Sequence, residues 1–150
     1  MGKLAFALVV ALTAGTAQAT DKTDVMATLQ QFIDGFNKGD VKSALATCAS
    51  PVSIVDEFPP YAWQGANACA DWANDFEANA TKNGITDSVV TLQKPKHVDV
   101  VGDRAYVVVP ANYDYKVKGK KTSQKGSIMA VALQKTAAGW RITGWSWATR

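Results

Sequence analysis

The chain is poor in the residues that build metal and nucleophilic sites: among its 150 residues are one histidine, His97, and two cysteines. These three side chains lack the spacing of a zinc site, so we expect no metal and no cofactor. A Gly-x-Ser-x-Gly nucleophile motif and the glycine patterns of P-loop and dinucleotide sites are also missing. The absences argue against serine-hydrolase and nucleotide-binding functions.

An excess of charge of one sign is lacking as well. Lysine and arginine total 16 against 13 aspartates and glutamates. The strongest basic cluster lies around Gly119, between Lys116 and Lys125, and is typical of a soluble hairpin edge. We therefore expect no nucleic-acid partner, because such partners require a dominant positive field.

Long apolar runs are confined to the start of the chain. Residues 1–19 contain an early Lys3, an apolar run at 4–12 and an Ala-x-Ala end at 17–19. This order is typical of a secretory signal peptide, and the run is too short to span a bilayer. We expect cleavage after Ala19, a single mature domain at 20–150 in the periplasm or outside the cell, and no membrane association afterwards. An uncleaved anchor is the alternative.

The two cysteines have a different meaning in an exported chain than in the cytosol. An oxidising compartment favours a permanent bridge between Cys48 and Cys69. The pattern predicts Cys48 at the end of a second helix and Cys69 early in a third. A loop of that size would stabilise the fold by about 3 kcal/mol in the chain-entropy model. Two separately buried thiols are the alternative.

Helical periodicity predicts three helices in the first half of the domain. The first ends at Gly39, Asp40 caps a short second helix that Pro51 stops, and the third runs from Ala66 to Gly84. The apolar face of the first helix consists of Val25, Leu29, Phe32, Ile33 and Phe36. Between the last two helices, residues 52–56 alternate like a strand.

The second half of the domain has the two-residue period of strands. Four strands are predicted at 89–101, 104–116, 122–134 and 139–148. Short turns between consecutive strands indicate an antiparallel meander, and Pro95 indicates a bulge or an edge in the first of them.

Strict alternation leaves apolar residues on both faces of this sheet. In the last strand, Trp140 and Ile142 lie opposite Trp145 and Trp147. A second subunit packing on the outer face would cover the exposed set, so we expect a homodimer through the sheet. The alternative is a strongly curved sheet that folds these aromatics around the helices of the same chain.

The segment Phe32-Ile33-Asp34-Gly35-Phe36-Asn37-Lys38-Gly39-Asp40, followed by residues 53–60 and Trp63-Gln64-Gly65, resembles the nuclear transport factor 2-like superfamily. This superfamily includes SnoaL-like polyketide cyclases and ketosteroid isomerases, and the signal sequence suggests an exported bacterial type. The resemblance extends from Val25 to Arg150. It implies an α+β fold in which a cone-shaped, curved, largely antiparallel sheet wraps around three N-terminal helices and leaves a pocket.

Asp56 is the strongest candidate for a catalytic or ligand-binding residue. It ends the first strand, and the steroid isomerases that this region resembles also carry there an aspartate that removes a proton next to a carbonyl. Burial among aromatic neighbours would raise the pKa of Asp56 toward neutrality. The expected ligand-binding residues are Phe32, Asp56, Phe58, Tyr61, Trp63 and Tyr113. A structural role for Asp56 as a cap of a turn is the alternative.

The partners of a steroid-isomerase base are missing. Phe32 stands where those enzymes carry an oxyanion-holding tyrosine, and residues 129–131 stand where they carry a protonated acid. Loss of both donors argues against that chemistry. His97 is the other candidate acid or base, although its strand neighbours favour solvent exposure.

Three functions remain open from the sequence. The first is binding of a small, mostly apolar ligand in the pocket near Asp56. The second is a SnoaL-like enzyme that uses Asp56 for proton transfer. The third is a dimeric interaction module with a vestigial pocket.

Overall fold

The computed structural model describes residues 13–150, with side chains from residue 18 onward. The elements are α1 (Thr13–Lys38), α2 (Val41–Leu45), β1 (Cys48–Val55), β2 (Ala62–Gly65), α3 (Ala68–Asn83), β3 (Ile85–Leu92), β4 (His97–Val101), β5 (Arg104–Val117), β6 (Lys120–Thr136) and β7 (Gly139–Ala148). Residues 1–12 of the predicted signal peptide lie outside the described residues. None of the described helices is long and apolar enough to cross a membrane.

The seven strands form one sheet in the order β2-β1-β7-β6-β5-β3, and β4 pairs with another part of β5. All pairings are antiparallel except that of β1 with β7, which is parallel. The predicted α+β fold, with three helices and a curved, mostly antiparallel sheet, is confirmed.

Helix α1 presents its apolar stripe to the sheet. Val25 and Leu29 have no exposed surface, and Phe32 and Ile33 retain 3% each. The buried stripe begins at Val25, although the helix itself extends upstream to Thr13.

Helix α2 packs closely against α1. A Cβ atom on Gly35 would lie 2.7 Å from the backbone nitrogen of Ala44, so the contact requires glycine. Asp40 caps α2 as predicted, with its Oδ1 accepting a hydrogen bond of 3.0 Å from the Ser43 amide. The close contact at Gly35 and the Asp40 cap together fix the position of α2, from which the chain continues into β1.

The predicted disulfide between Cys48 and Cys69 is confirmed, with 6.6 Å between the two Cα atoms. Its setting differs from the prediction, because α2 ends at Leu45 and Cys48 begins β1. The bridge therefore ties the first strand of the sheet to the first turn of α3.

A bulge in β7 corrects the prediction that its aromatic residues lie on both faces. Ile142 pairs with Leu133 and Gly144 pairs with Ala132, so Thr143 is an extra residue. Beyond this extra residue, the side chains of β7 that would have faced outward face inward. As a result the large side chains on both sides of it face the helices: Trp140, Ile142 and Trp145 are at most 5% exposed, and Trp147 is half-buried. Regular alternation would place these aromatic side chains on both faces of the sheet. The curvature of the sheet and the bulge together bury them within one chain.

The predicted strand 89–101 is two strands. β3 pairs with the end of β5 near Ala111 to Val117, whereas β4 pairs with its start near Arg104 to Val108. Residues 93–96, including Pro95, connect them and break the ladder as a proline favours. Strand β2 was not predicted, because four residues between a diproline and a helix give little periodicity.

Candidate functional site

A cavity of about 240 Å³ lies between α1, α3 and the inner face of the sheet. Nine of its seventeen lining residues are aromatic, four are aliphatic and four are polar. The aromatic ones are Phe32, Phe36, Phe58, Trp72, Phe76, Tyr113, Tyr115, Trp145 and Trp147; the aliphatic ones are Ile33, Ile85, Val90 and Met129; the polar ones are Asp56, Glu57, Asn79 and Gln124.

Trp72 holds the aromatic wall together. Its ring centroid lies 5.0 Å from that of Trp145, in an edge-to-face arrangement, and 5.9 Å from that of Phe32. Phe36 and Phe76 approach the same indole at 6.1 and 5.7 Å. Ring pairs at such distances are attractive beyond the burial of their area, so the wall is preformed.

Asp56 follows the last residue of β1 and points into this aromatic surface. Its Oδ2 accepts a hydrogen bond of 2.9 Å from Trp72 Nε1, and its Oδ1 accepts one of 2.7 Å from the Glu57 amide. Burial raises the pKa of the Asp56 carboxyl, and the hydrogen bonds from Trp72 and Glu57 oppose that rise only in part. The structure thus holds a carboxylate in a fixed position and in a poorly solvated place.

Glu57 carries the second carboxylate of the lining. Its two oxygens accept hydrogen bonds from the backbone amide and the hydroxyl of Thr149, near the end of the chain. The residue is exposed, so it lies at the mouth of the cavity rather than at its base.

Tyr113 supplies a phenol to the opposite wall. Its hydroxyl shares a hydrogen bond of 2.9 Å with that of Ser88, and its ring stacks on Tyr115 with 4.4 Å between centroids. Burial raises the pKa of the Tyr113 hydroxyl, which stays protonated at neutral pH. Tyr113 can therefore donate to a ligand or to Ser88.

A second bulge determines which residue of β6 enters the cavity. Tyr113 pairs with Gln124 and Ala111 with Ser127, which leaves one more residue on β6 than on β5. Gly126 occupies the bulge with φ of 69°, and its amide donates a hydrogen bond of 3.0 Å to Asn112 Oδ1. The inner face therefore continues from Ser127 to Gln124, whose Oε1 accepts a hydrogen bond from Trp147.

Without this bulge, alternation from Met129 and Ser127 would place Lys125 inside. In the structure the Lys125 ammonium is exposed and lies 2.7 Å from Asp114 Oδ1. Among the residues that the structure describes, the cavity lining contains no lysine, arginine or histidine.

Four of the predicted ligand-binding residues are brought together in this lining: Phe32, Asp56, Phe58 and Tyr113. Tyr61 and Trp63 do not line this cavity. Tyr61 is 56% exposed beyond the diproline turn. Trp63 belongs to β2 and turns its indole to Asp75, with 2.8 Å from Nε1 to Oδ2, on the far side of Phe58.

His97 is not near the cavity. It is exposed on β4, where Val98 and Val100 take the inward positions, and its ring lies 6.0 Å from that of Tyr106 on the outer face. The geometry therefore does not pair His97 with Asp56. In the part of the chain that the structure describes, no cluster of three or more His, Cys, Asp or Glu side chains is arranged to hold a metal ion.

The sequence did not reveal Gln124, nor the cavity role of Trp72 and Phe76. The helical spacing of Trp72 and Phe76 indicates an apolar face of α3. Whether such a face packs in the core or lines a cavity depends on the distance between the helix and the sheet. Phe32 and Met129 also line the cavity, and neither can donate the hydrogen bonds that an oxyanion requires.

The family model described as SnoaL-like domain matches residues 25–146. No curated protein matches the sequence significantly. Among solved structures, an NTF2-like protein with a cystatin-like fold from Novosphingobium aromaticivorans aligns at 18% identity and a TM-score of 0.74, covering 92% of this chain and 87% of its own.

Two further structures are similar to a comparable degree. A protein of unknown function from Mycobacterium tuberculosis aligns with a TM-score of 0.76 at 13% identity, covering 94% of this chain and 78% of its own. An NTF2-like superfamily protein from Salmonella enterica aligns with a TM-score of 0.73 at 16% identity, with coverage of 87% and 92%. At these identities the likeness extends to the fold alone.

Proposed function

The chain belongs to the SnoaL-like domain family, and from that membership we propose that it is an exported protein that binds a small, mostly apolar molecule between its helices and its sheet. The observation that carries the proposal is the preformed cavity of about 240 Å³, with thirteen of seventeen lining residues apolar or aromatic. Ligand sites are typically concave and mostly apolar, with a few fixed polar groups. Asp56 and Tyr113 supply such groups here.

Export is supported by the way the core is built. Val25 is the first buried residue among the described side chains, and the match to the family model also begins there. Cleavage after Ala19 would remove side-chain hydrogen bonds of 3.3 Å from Gln18 to the Val100 carbonyl and of 3.1 Å from Thr23 to the Ala19 carbonyl, but no buried residue among those described. The disulfide is suited to an oxidising compartment. Intact mass of secreted protein should correspond to a chain that begins at Thr20.

A second candidate function is proton transfer by Asp56. Burial raises the pKa of this carboxyl toward the range in which a general base works best. Loss of turnover in Asp56→Asn with ligand binding retained would distinguish an enzyme from a binding protein. The oxyanion donors of a steroid isomerase are absent from Phe32 and Met129, so binding is the function that the cavity supports better.

We also propose that the outer face of the sheet forms a homodimer. A row of residues crosses this face without a charged side chain: Val55, Ser146, Ala130, Val108 and His97. Beside the row, Tyr106 is 48% exposed and lies between Ala132 of β6 and Asp99 of β4. On the β6 side of the protruding Tyr106 ring, the small residues Ala130 and Ala132 leave room for an equivalent ring from a second copy.

Native mass spectrometry of the protein purified from its own cell envelope tests ligand binding directly. We expect an added mass that is lost on denaturation. Asn79→Trp should abolish it, because Asn79 lines the cavity and an indole would fill it. Thr81→Trp is the matched control on the exposed side of the same helix. Native protein without any added mass, or the same mass on both variants, would contradict the proposal and favour a vestigial pocket.

A further inference from the structure

The charges around the cavity are unbalanced. Asp56 and Glu57 belong to the lining, whereas no positively charged side chain among residues 18–150 does. None of the ion pairs among the described residues includes either carboxylate. A buried charge without a counter-charge is costly, so a site of this kind favours a ligand that brings one.

The Asp56 carboxylate also has unused hydrogen-bonding capacity. An ionised carboxylate has about four acceptor positions, and the protein occupies two of them, with Trp72 Nε1 on Oδ2 and the Glu57 amide on Oδ1. These two donors fix the orientation of the carboxylate, and both oxygens retain an acceptor position for a ligand.

The rings around Asp56 add an attraction of the same sign. Trp72, Phe32 and Trp145 contact one another with centroids 5.0 to 5.9 Å apart. The face of an aromatic ring attracts a cation within about 6 Å of its centroid, and a cluster of such rings is a recurrent binding surface for ammonium groups.

We propose that the cavity binds an organic cation, namely a small amine that carries an aromatic or aliphatic group and donates its N–H hydrogens to Asp56. This inference rests on the proposed ligand-binding function and specifies its ligand class. The ammonium group would form a charge-assisted hydrogen bond with the carboxylate, while the apolar part would occupy the space between Phe36, Phe76 and Met129. The outward orientation of Lys125 keeps the site free of a competing cation.

Two probes that differ in charge test the proposal: 2-phenylethylamine, a cation at neutral pH, and 2-phenylethanol, a neutral molecule with the same ring and chain length. Their affinities are measured by isothermal titration calorimetry and by quenching of the tryptophans in the cavity wall. We expect the amine to bind about tenfold more tightly or better, the ratio that a charge-assisted hydrogen bond provides over a neutral one.

Asp56→Asn should abolish this preference, because asparagine retains an acceptor for Trp72 but carries no negative charge. Asp71→Asn is the matched control: it changes the net charge equally, but Asp71 is exposed on the first turn of α3 outside the lining. It should preserve the preference. The comparison of the two probes on the unmodified protein does not depend on the folding of either variant.

Equal affinities, or tighter binding of the alcohol, would overturn the cation proposal and leave the binding function intact. A preference that persists in Asp56→Asn would overturn the assignment to Asp56. If neither probe binds, the proposal also fails, and the native mass spectrum then decides the binding function independently.

Discussion

Asn37 and Val90 are joined by two hydrogen bonds across 53 residues of sequence. Asn37 Nδ2 donates to the Val90 carbonyl at 2.8 Å, and the Val90 amide donates to Asn37 Oδ1 at 2.7 Å. The Asn37 side-chain amide, at the end of α1, thus forms with Val90 of β3 the pair of hydrogen bonds that a neighbouring strand would otherwise form. Because Phe36 and Val90 both line the cavity, this pair holds two of its walls at a fixed separation.

Asn37→Ala should therefore lower the free energy of unfolding by about 2 kcal/mol or more. The substitution removes two hydrogen bonds and leaves the backbone amide and carbonyl of Val90 in β3 without these partners. Chemical denaturation measures the change. Asn83→Ala is the control, because the exposed Asn83 side chain bonds only to Asn79, one turn earlier in the same helix. Equal effects of both substitutions would show that the hydrogen bonds between Asn37 and Val90 contribute no more to the free energy of unfolding than a hydrogen bond on the surface of a helix.

The Cys48–Cys69 bridge should contribute about 3 kcal/mol to the free energy of unfolding, since it closes a loop of 21 residues in the unfolded chain. Replacement of both cysteines by serine should lower stability by that amount, and reductant should then have no further effect. The unmodified protein in reductant should shift to the same stability as the double variant. If reductant left the unmodified protein unchanged, the bridge would not stabilise the native fold.

Asp56 should give the stability a characteristic dependence on pH. Its raised pKa means that the folded state binds a proton more tightly than the unfolded state does. The contribution of Asp56 to the free energy of unfolding therefore falls as the pH rises from the ordinary carboxyl pKa to the raised one, and is constant above it. Asn cannot ionise, so the stability of the wild type relative to Asp56→Asn should fall across that window.

Thermal unfolding at a series of pH values, from below the ordinary carboxyl pKa to neutrality, provides this comparison. The carboxyls of Asp21, Asp87 and Asp114 have pKa values lowered by lysine partners, and their contributions have the opposite sign. They cancel in the difference between the two proteins. A difference that rises with pH would mean that hydrogen bonds to Asp56 outweigh its burial.

Tyr106→Glu should convert the proposed dimer to a monomer. Each glutamate would add a negative charge beside Asp99, and burying these charges in a dimer interface is costly. Light scattering coupled to size-exclusion chromatography measures the mass. Val41→Glu is the control, because Val41 is also about half exposed but lies on α2, away from the sheet. A monomeric unmodified protein, or a dimer retained in Tyr106→Glu, would contradict the outer face as the interface.

The elements that sequence predicted well are those whose signal is local. The stripe from Val25 to Phe32, the Asp40 cap and the glycine after α3 each depend on residues within a few positions of one another. The order of the elements followed from them, and the resemblance in the first half of the chain supplied the fold.

What could not be predicted depends on the register between strands. The bulges at Thr143 and Gly126 each shift one strand by a residue, and a shift of one residue exchanges the two faces. Trp147 and Gln124 reach the cavity for that reason. Trp63 was assigned to the site through its nearness to Asp56 in sequence, but the turn between them and the short strand β2 direct its indole to Asp75.

The bulge at Gly126 makes the electrostatic character of the cavity depend on strand register as well as on residue identity. Gly126 has a φ of 69°, which a β-branched residue tolerates poorly. Replacement of Gly126 by valine at unchanged chain length would favour the regular alternation, with Lys125 in place of Gln124 on the inner face. The anionic site would thereby gain a cation although no residue of its lining had been substituted. In relatives of this fold, the presence or absence of a bulge at this point of the strand would be a direct route to a different ligand charge.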